Sequence, residues 1–138
     1  MTKYLLIVDY QPGVIDRPMD EWAPGDIKAH MDYYGVLRAE LLASGELVYQ
    51  EALTGPELAK VVTSDGVAAP VVTDGPFAES KEMLAGFQLV DVESEERALE
   101  IAARISAVPG PGGVPQQQPI AVRRVLGPSD FALLTPEL

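Results

Sequence analysis

Apolar and polar positions follow two periods along this chain. Residues 3–9, Lys3-Tyr4-Leu5-Leu6-Ile7-Val8-Asp9, are a short apolar run with polar ends, and their length and β-branching predict a buried strand. Gln11-Pro12-Gly13 ends it, and residues 14–25, with Pro18, Pro24 and Gly25, read as a loop. From an N-cap at Asp26, the residues Ile27, Met31, Tyr34, Leu37 and Leu41 recur at spacings of three and four. That stripe predicts the longest helix, with Gly45 as its C′ residue. Gly35 inside it costs roughly 1 kcal/mol against Ala.

Glu46 to Leu53 predicts a second strand, broken by Thr54-Gly55-Pro56. Ala59 to Thr63 and Val67 to Thr73 are β-rich runs around Ser64-Asp65-Gly66, a hairpin signal. Gly86 to Val92 is another strand. Ser94 is then an N-cap, with Glu95 and Glu96 suited to the positive end of a helix dipole. Ala98, Ile101, Ala102 and Ile105 make the buried stripe of a second helix, which Pro109-Gly110-Pro111-Gly112-Gly113 terminates. Ile120 to Leu126 is a last strand, and the tail beyond Gly127 is expected to be loose or draped over a neighbour.

The order is β-α-β, a hairpin, then β-α-β. It predicts an α+β fold, a ferredoxin-like βαββαβ antiparallel sheet with an inserted β-hairpin and two helices on one face. One sheet face is then uncovered. Tyr49 and Phe87 are expected on it, and homodimerisation through the sheets is the economical way to cover it. No repeat or second domain is evident, so residues 1–138 read as one domain.

Composition narrows the function. With 10 basic and 21 acidic residues the net charge is −11, which disfavours nucleic acid and anionic membranes. The 47% hydrophobic content suffices for a core. Cysteine is absent and His30 is the single histidine. Disulfides, zinc–thiolate sites and thiol nucleophiles are excluded, and no multi-imidazole metal site can come from one subunit. The first apolar run is too short for a signal peptide, and no stretch would span a bilayer. The expectation is a cytoplasmic protein without metal or cofactor.

The most specific stretch is Asp74-Gly75-Pro76-Phe77-Ala78-Glu79-Ser80-Lys81-Glu82. Together with Lys3-Tyr4-Leu5-Leu6, Tyr34 eleven residues before Gly45, Glu51-Ala52-Leu53, Gly86-Phe87 and Val122-Arg123, it resembles the DGPF group of YCII-related proteins, bacterial members of the dimeric α+β barrel superfamily. The resemblance runs from Tyr4 to Leu126 and implies that fold and a homodimer. It places the chain beside muconolactone isomerase-like enzymes and a dehydrochlorinase of chlorinated hydroquinones. Any activity implied is cofactor-free proton transfer, isomerisation or elimination. The acid/base dyad of the founding YCII-type proteins is missing, because Tyr34 stands at the His position and Ala43 near the Asp position. Ser80 stands where Thr is usual.

Several residues have both a chemical and a structural reading. Asp74 precedes Pro76, which has no N–H to satisfy an Asx turn. It either caps the turn through a more distant donor or is a pocket carboxylate. Lys81 supplies charge to an anionic ligand or belongs to a solvated run with Glu79 and Glu82. His30 and Tyr34, four apart, share one helix face as candidate base and acid. The plain alternative is a core Tyr34 and a partly exposed His30 without an orienting partner. Arg123 and Arg124 point to opposite faces, and one is expected to meet a carboxylate such as Asp74, Glu51 or Asp9.

The expected pocket lies between the first helix and the sheet, closed by the signature loop. Its catalytic candidates are Asp74, Tyr34 and His30, and its ligand-binding candidates are Tyr34, Asp74, Phe77, Lys81 and Arg123. The ligand is a small aromatic or carboxylated compound. The other reading is a non-catalytic binding or regulatory module linked to sigma-factor signalling, without direct DNA contact.

Overall fold

The computed structural model describes residues 1–10, 13–75 and 84–134. Their order is β1 (Thr2–Asp9), α1 (Pro24–Ala43), β2 (Leu47–Ala52), β3 (Lys60–Thr63), β4 (Val71–Asp74), β5 (Leu84–Val92), α2 (Glu95–Ser106), β6 (Ile120–Arg124) and α3 (Pro128–Leu134). The main sheet runs β2-β5-β1-β6, with β5 antiparallel to β1 and β2, and β6 antiparallel to β1. That is the ferredoxin-like arrangement expected, with β3 and β4 paired separately as a ribbon. No helix among the described residues is long and apolar enough to cross a membrane.

Register decides the faces. Tyr4 sits opposite Val90, and Leu6 opposite Gln88 and Val122. With Val92 and Leu47, the apolar members of this set face the helices. There they meet Leu37 and Leu41 of α1 and Ala98, Ile101, Ala102 and Ile105 of α2 in one core. Leu5, Ile7, Phe87 and Leu89 emerge on the other face, which no helix covers. Tyr49, half exposed at 52%, lies there too, its ring 5.9 Å from that of Phe87.

The first helix departs from expectation in two respects. Its N-cap is Ala23, with Pro24 in the first turn, where a fixed φ and a missing N–H cost nothing. Asp26 lies inside that turn, and its carboxylate accepts from Gly112 N at 2.9 Å. The buried line is His30, Leu37 and Leu41, with Tyr34 packed against the core. Met31, expected in the stripe, is 58% exposed. One residue is a 100° rotation on a helix, and it exchanges the thioether for the imidazole.

The far end of α1 closes as the sequence suggests. Gly45 adopts φ +77°. Glu46 N donates to Leu41 O at 3.0 Å and Gly45 N to Leu42 O at 3.2 Å, the paired bonds of a Schellman motif. Glu46 then anchors neighbouring elements. Its carbonyl accepts from Asp91 N at 2.8 Å. Its carboxylate takes two hydrogen bonds from Arg97 in the first turn of α2, at 2.8 and 2.9 Å. Ser94 caps α2 as expected, accepting from Arg97 N.

The tail is not loose throughout. Residues 128–134 form α3, tied back by a two-point Arg124–Asp130 ion pair at 2.7 and 2.9 Å. These bonds and Gly127 N hold the Asp130 carboxyl down to about 2. The expected tight Asp-Gly turn of the hairpin is instead a longer connection over residues 64–70, where Asp65 accepts from Val67 N and Ala68 N.

Two outcomes follow for stability. A double-mutant cycle on Glu46→Gln and Arg97→Ala in urea is expected to give a coupling of about 2 kcal/mol, the scale of a two-point charged hydrogen bond. The Arg97 hydrogen bond holds the Glu46 carboxyl below its ordinary value of 4.5. Its contribution is therefore present above that value and lost as pH falls through the lower folded one. A wild-type stability that does not fall faster with acidification than that of Glu46→Gln would contradict this.

Candidate functional site

Chain direction sorts the residues into two ends of the sheet. β1 and β2 finish, and β5 and β6 begin, at the end where α1 starts and α2 stops. The Glu46 anchor lies at the other end. The upper end is roofed by residues 108–118, which fold on themselves rather than trail. Gln116 N donates to Val108 O, Gln117 N to Ser106 O and Gly110 N to Val114 O. Val14 N donates to Gln116 O at 2.9 Å, which fastens the loop before α1 to the roof. Gln118 reaches Asp9 O at 2.8 Å.

Under this roof α1 presents an aromatic stack. Trp22, 7% exposed, meets His30 edge-on with ring centres 5.3 Å apart. His30 meets Tyr34 in the same manner at 5.2 Å. Trp22 Nε1 donates to Arg17 O at 2.8 Å, so its ring is held from the loop side. Contrary to the expectation of partial exposure, His30 is buried at 9%. It also has an orienting partner, since its Nδ1 lies 2.9 Å from Pro109 O. A carbonyl can only accept, so Nδ1 carries the proton, and in the neutral ring Nε2 keeps its lone pair. Burial, with a smaller contribution from Tyr33, pushes the Tyr34 hydroxyl up to about 12. Tyr34, like any tyrosine below its ordinary value of 10, is a donor at neutral pH, and its burial widens that margin. Its hydroxyl makes no hydrogen bond among the described residues, whereas that of Tyr33 donates to Arg104 O at 2.6 Å.

Gln88 adds a third group. It faces the helix side between Leu6 and Gln50, is 7% exposed, and its Oε1 is buried without a hydrogen bond. An unsatisfied buried amide oxygen costs about 1–3 kcal/mol, so a donor at this point would be favourable.

The other candidates stand elsewhere. Asp74 ends β4 on the ribbon with its side chain 89% exposed, and Lys60, its cross-strand partner, donates to it at 2.5 Å. The donor that Pro76 cannot provide thus comes from the opposite strand. Arg123 sits opposite Leu5, exposed on the uncovered face and away from the His30 side of the sheet. Arg124 is the arginine that meets a carboxylate, and that carboxylate is Asp130, not Asp74, Glu51 or Asp9. Phe77 and Lys81 lie outside the described residues. Among the described residues the expected site members brought together are His30 and Tyr34. Trp22, Gln88 and the Pro109 carbonyl had no sequence signal beyond a single tryptophan before the helix and a polar residue inside an apolar strand.

Two cavities stand out among the described residues, and neither adjoins the stack. One of about 320 Å³ lies at the ribbon tip between Thr63 and Val71. The other, of about 480 Å³, lies at the lower end beside Lys3, Asp91 and α3. No group of three or more His, Cys, Asp or Glu that could hold a metal occurs among the described residues.

Comparison with known proteins addresses the family. An uncharacterised protein of Rhizobium meliloti (strain 1021) is 36% identical over 67 residues, which are 49% of this chain and 54% of that protein. The chain thus spans about half the length of the curated relative it matches. Residues 2–117 match the YCII-related domain, a stretch that takes in both helices of the core and every strand but β6, and the chain belongs to the YCII-related family.

Proposed function

We propose that this protein is a homodimer that binds a small neutral or carboxylated aromatic compound at the upper end of α1, and that it performs cofactor-free proton transfer there, as in an isomerisation or elimination. The observation that carries this reading is the His30–Pro109 hydrogen bond, which leaves Nε2 as a proton acceptor on a ring whose centre lies 5.2 Å from that of Tyr34. Trp22 supplies an aromatic wall, and Gln88 Oε1 an acceptor for a ligand hydroxyl or amine. Phe77 and Lys81, outside the described residues, stay ligand-binding candidates in this reading, Lys81 for a ligand carboxylate. Asp74 would keep its place at the end of β4. The uncovered sheet face, with Leu5, Ile7, Phe87 and Leu89, is the surface through which two copies would pair.

A single histidine makes the base assignment directly measurable. Its ring ¹⁵N shifts at neutral pH are expected to identify the Nδ1–H tautomer, and an Nε2–H tautomer would remove His30 as the base. Tyr34→Phe deletes a hydroxyl without a protein partner, so stability should hold within about 0.5 kcal/mol. The ligand recovered by native mass spectrometry from freshly purified protein should nevertheless be lost. His30→Gln is expected to lower turnover of that compound on the order of 100-fold or more. Retention without any turnover by the wild type would leave a binding module.

Light scattering tests the pairing. The wild type is expected at twice the 14.8 kDa of the chain, and Leu89→Arg at the single mass. A wild-type monomer at micromolar concentration would refute it.

A further inference from the structure

Among the described residues the β3–β4 ribbon is a sheet of two strands and joins no other strand of its own chain. Val62 and Val72, direct cross-strand partners, are each 59% exposed on one face. Val61 at 44% and Val71 at 59% are exposed on the other. Leu58, just before β3, is 64% exposed. An isolated two-stranded ribbon is marginal in water, and apolar residues on both of its faces do not stabilise it when they remain wet. Its ends are nevertheless fastened. Lys60 and Asp74 pair across the base, and Gly75 N donates to Ala59 O at 2.7 Å. The arm is thus a defined element whose valines stay exposed among the described residues.

Size identifies the partner. A stable interface uses roughly 20–30 residues a side, whereas the register places only about ten positions on the uncovered sheet face. Pairing through the sheets alone falls short, and the ribbon supplies further apolar positions. Charge points the same way. The chain carries −11, so two copies repel unless they meet through weakly charged surfaces. From Lys60 to Asp74 the arm holds only Lys60, Asp65 and Asp74 as charged residues. We infer that the β3–β4 ribbon is a dimerisation arm that packs its valines on a second copy of this chain, beside the uncovered sheet face. This rests on the homodimer proposed above and adds a surface that the sheet pairing does not include.

Hydrogen–deuterium exchange of the full chain across a dilution series, read with light scattering, tests it. Amides of residues 60–74 are expected to be protected at concentrations where the dimer forms and to lose that protection as it dissociates. Val62→Glu with Val72→Glu is expected to weaken dimerisation at least 100-fold, and Val61→Glu with Val71→Glu probes the other face. Both pairs leave the core untouched, so circular dichroism should match the wild type. A dimer whose ribbon amides exchange freely, or one that both double variants leave equally tight, overturns the arm while sheet pairing stands. A wild-type monomer overturns both. A monomer with a protected ribbon would assign the arm to its own chain and also refutes the inference.

Discussion

Glu46 is the point on which the architecture turns. Its amide completes the α1 terminus, its carbonyl accepts from β5, and its carboxylate grips the first turn of α2. One residue thereby sets where α1 stops, where β2 begins and how α2 lies on the sheet. The geometry depends on Gly45, whose φ of +77° is inaccessible at low cost to most side chains. The core of Leu6, Leu37, Leu41, Val90 and Ile101 provides the general driving force, but apolar burial is non-directional. The directional bonds at Glu46 select one register from the several that would bury a similar surface.

With the lower end closed, the chain's irregular segments gather at the upper end. The roof over residues 108–118 is made almost wholly of backbone hydrogen bonds, which is how a Pro- and Gly-rich segment becomes a defined surface. Its chemical consequence is specific. Pro109, without an N–H of its own, presents a carbonyl that orients the imidazole of His30 seventy-nine positions away. Tyr34, a phenol protonated at neutral pH in any case, is pushed further from ionisation by its burial. An acceptor and a donor thus stand on successive turns of one helix, which is the arrangement the proposed proton transfer uses.

The outer surfaces carry a different constraint. A ferredoxin-like sheet covered on one side exposes alternate residues of every strand on the other. Here those residues are Leu5, Ile7, Phe87 and Leu89, and the ribbon adds four valines. These are the apolar positions on which the proposed pairing of two copies draws.

Much of the fold was legible in the sequence because it rests on local chemistry. Helix caps at Ser94 and Gly45, the Pro-Gly stop after α2, and the alternation in β1 and β5 each depend on near neighbours. The β-α-β order then leaves few topologies. The site was less legible because its bonds are not local. Nothing near Asp74 in sequence reveals that Lys60 would replace the donor that Pro76 lacks. Whether Met31 or His30 turns inward depended on how α1 rolls on the sheet to bury Leu37 and Leu41. The choice between Arg123 and Arg124 waited on strand register and on α3. Local pattern was enough for the core strands, the two long helices, their order and the family, but not for α3. Only tertiary structure decided that His30 is buried with its Nδ1 proton directed at Pro109, since neither pattern nor propensity carries a hydrogen bond between residues so far apart.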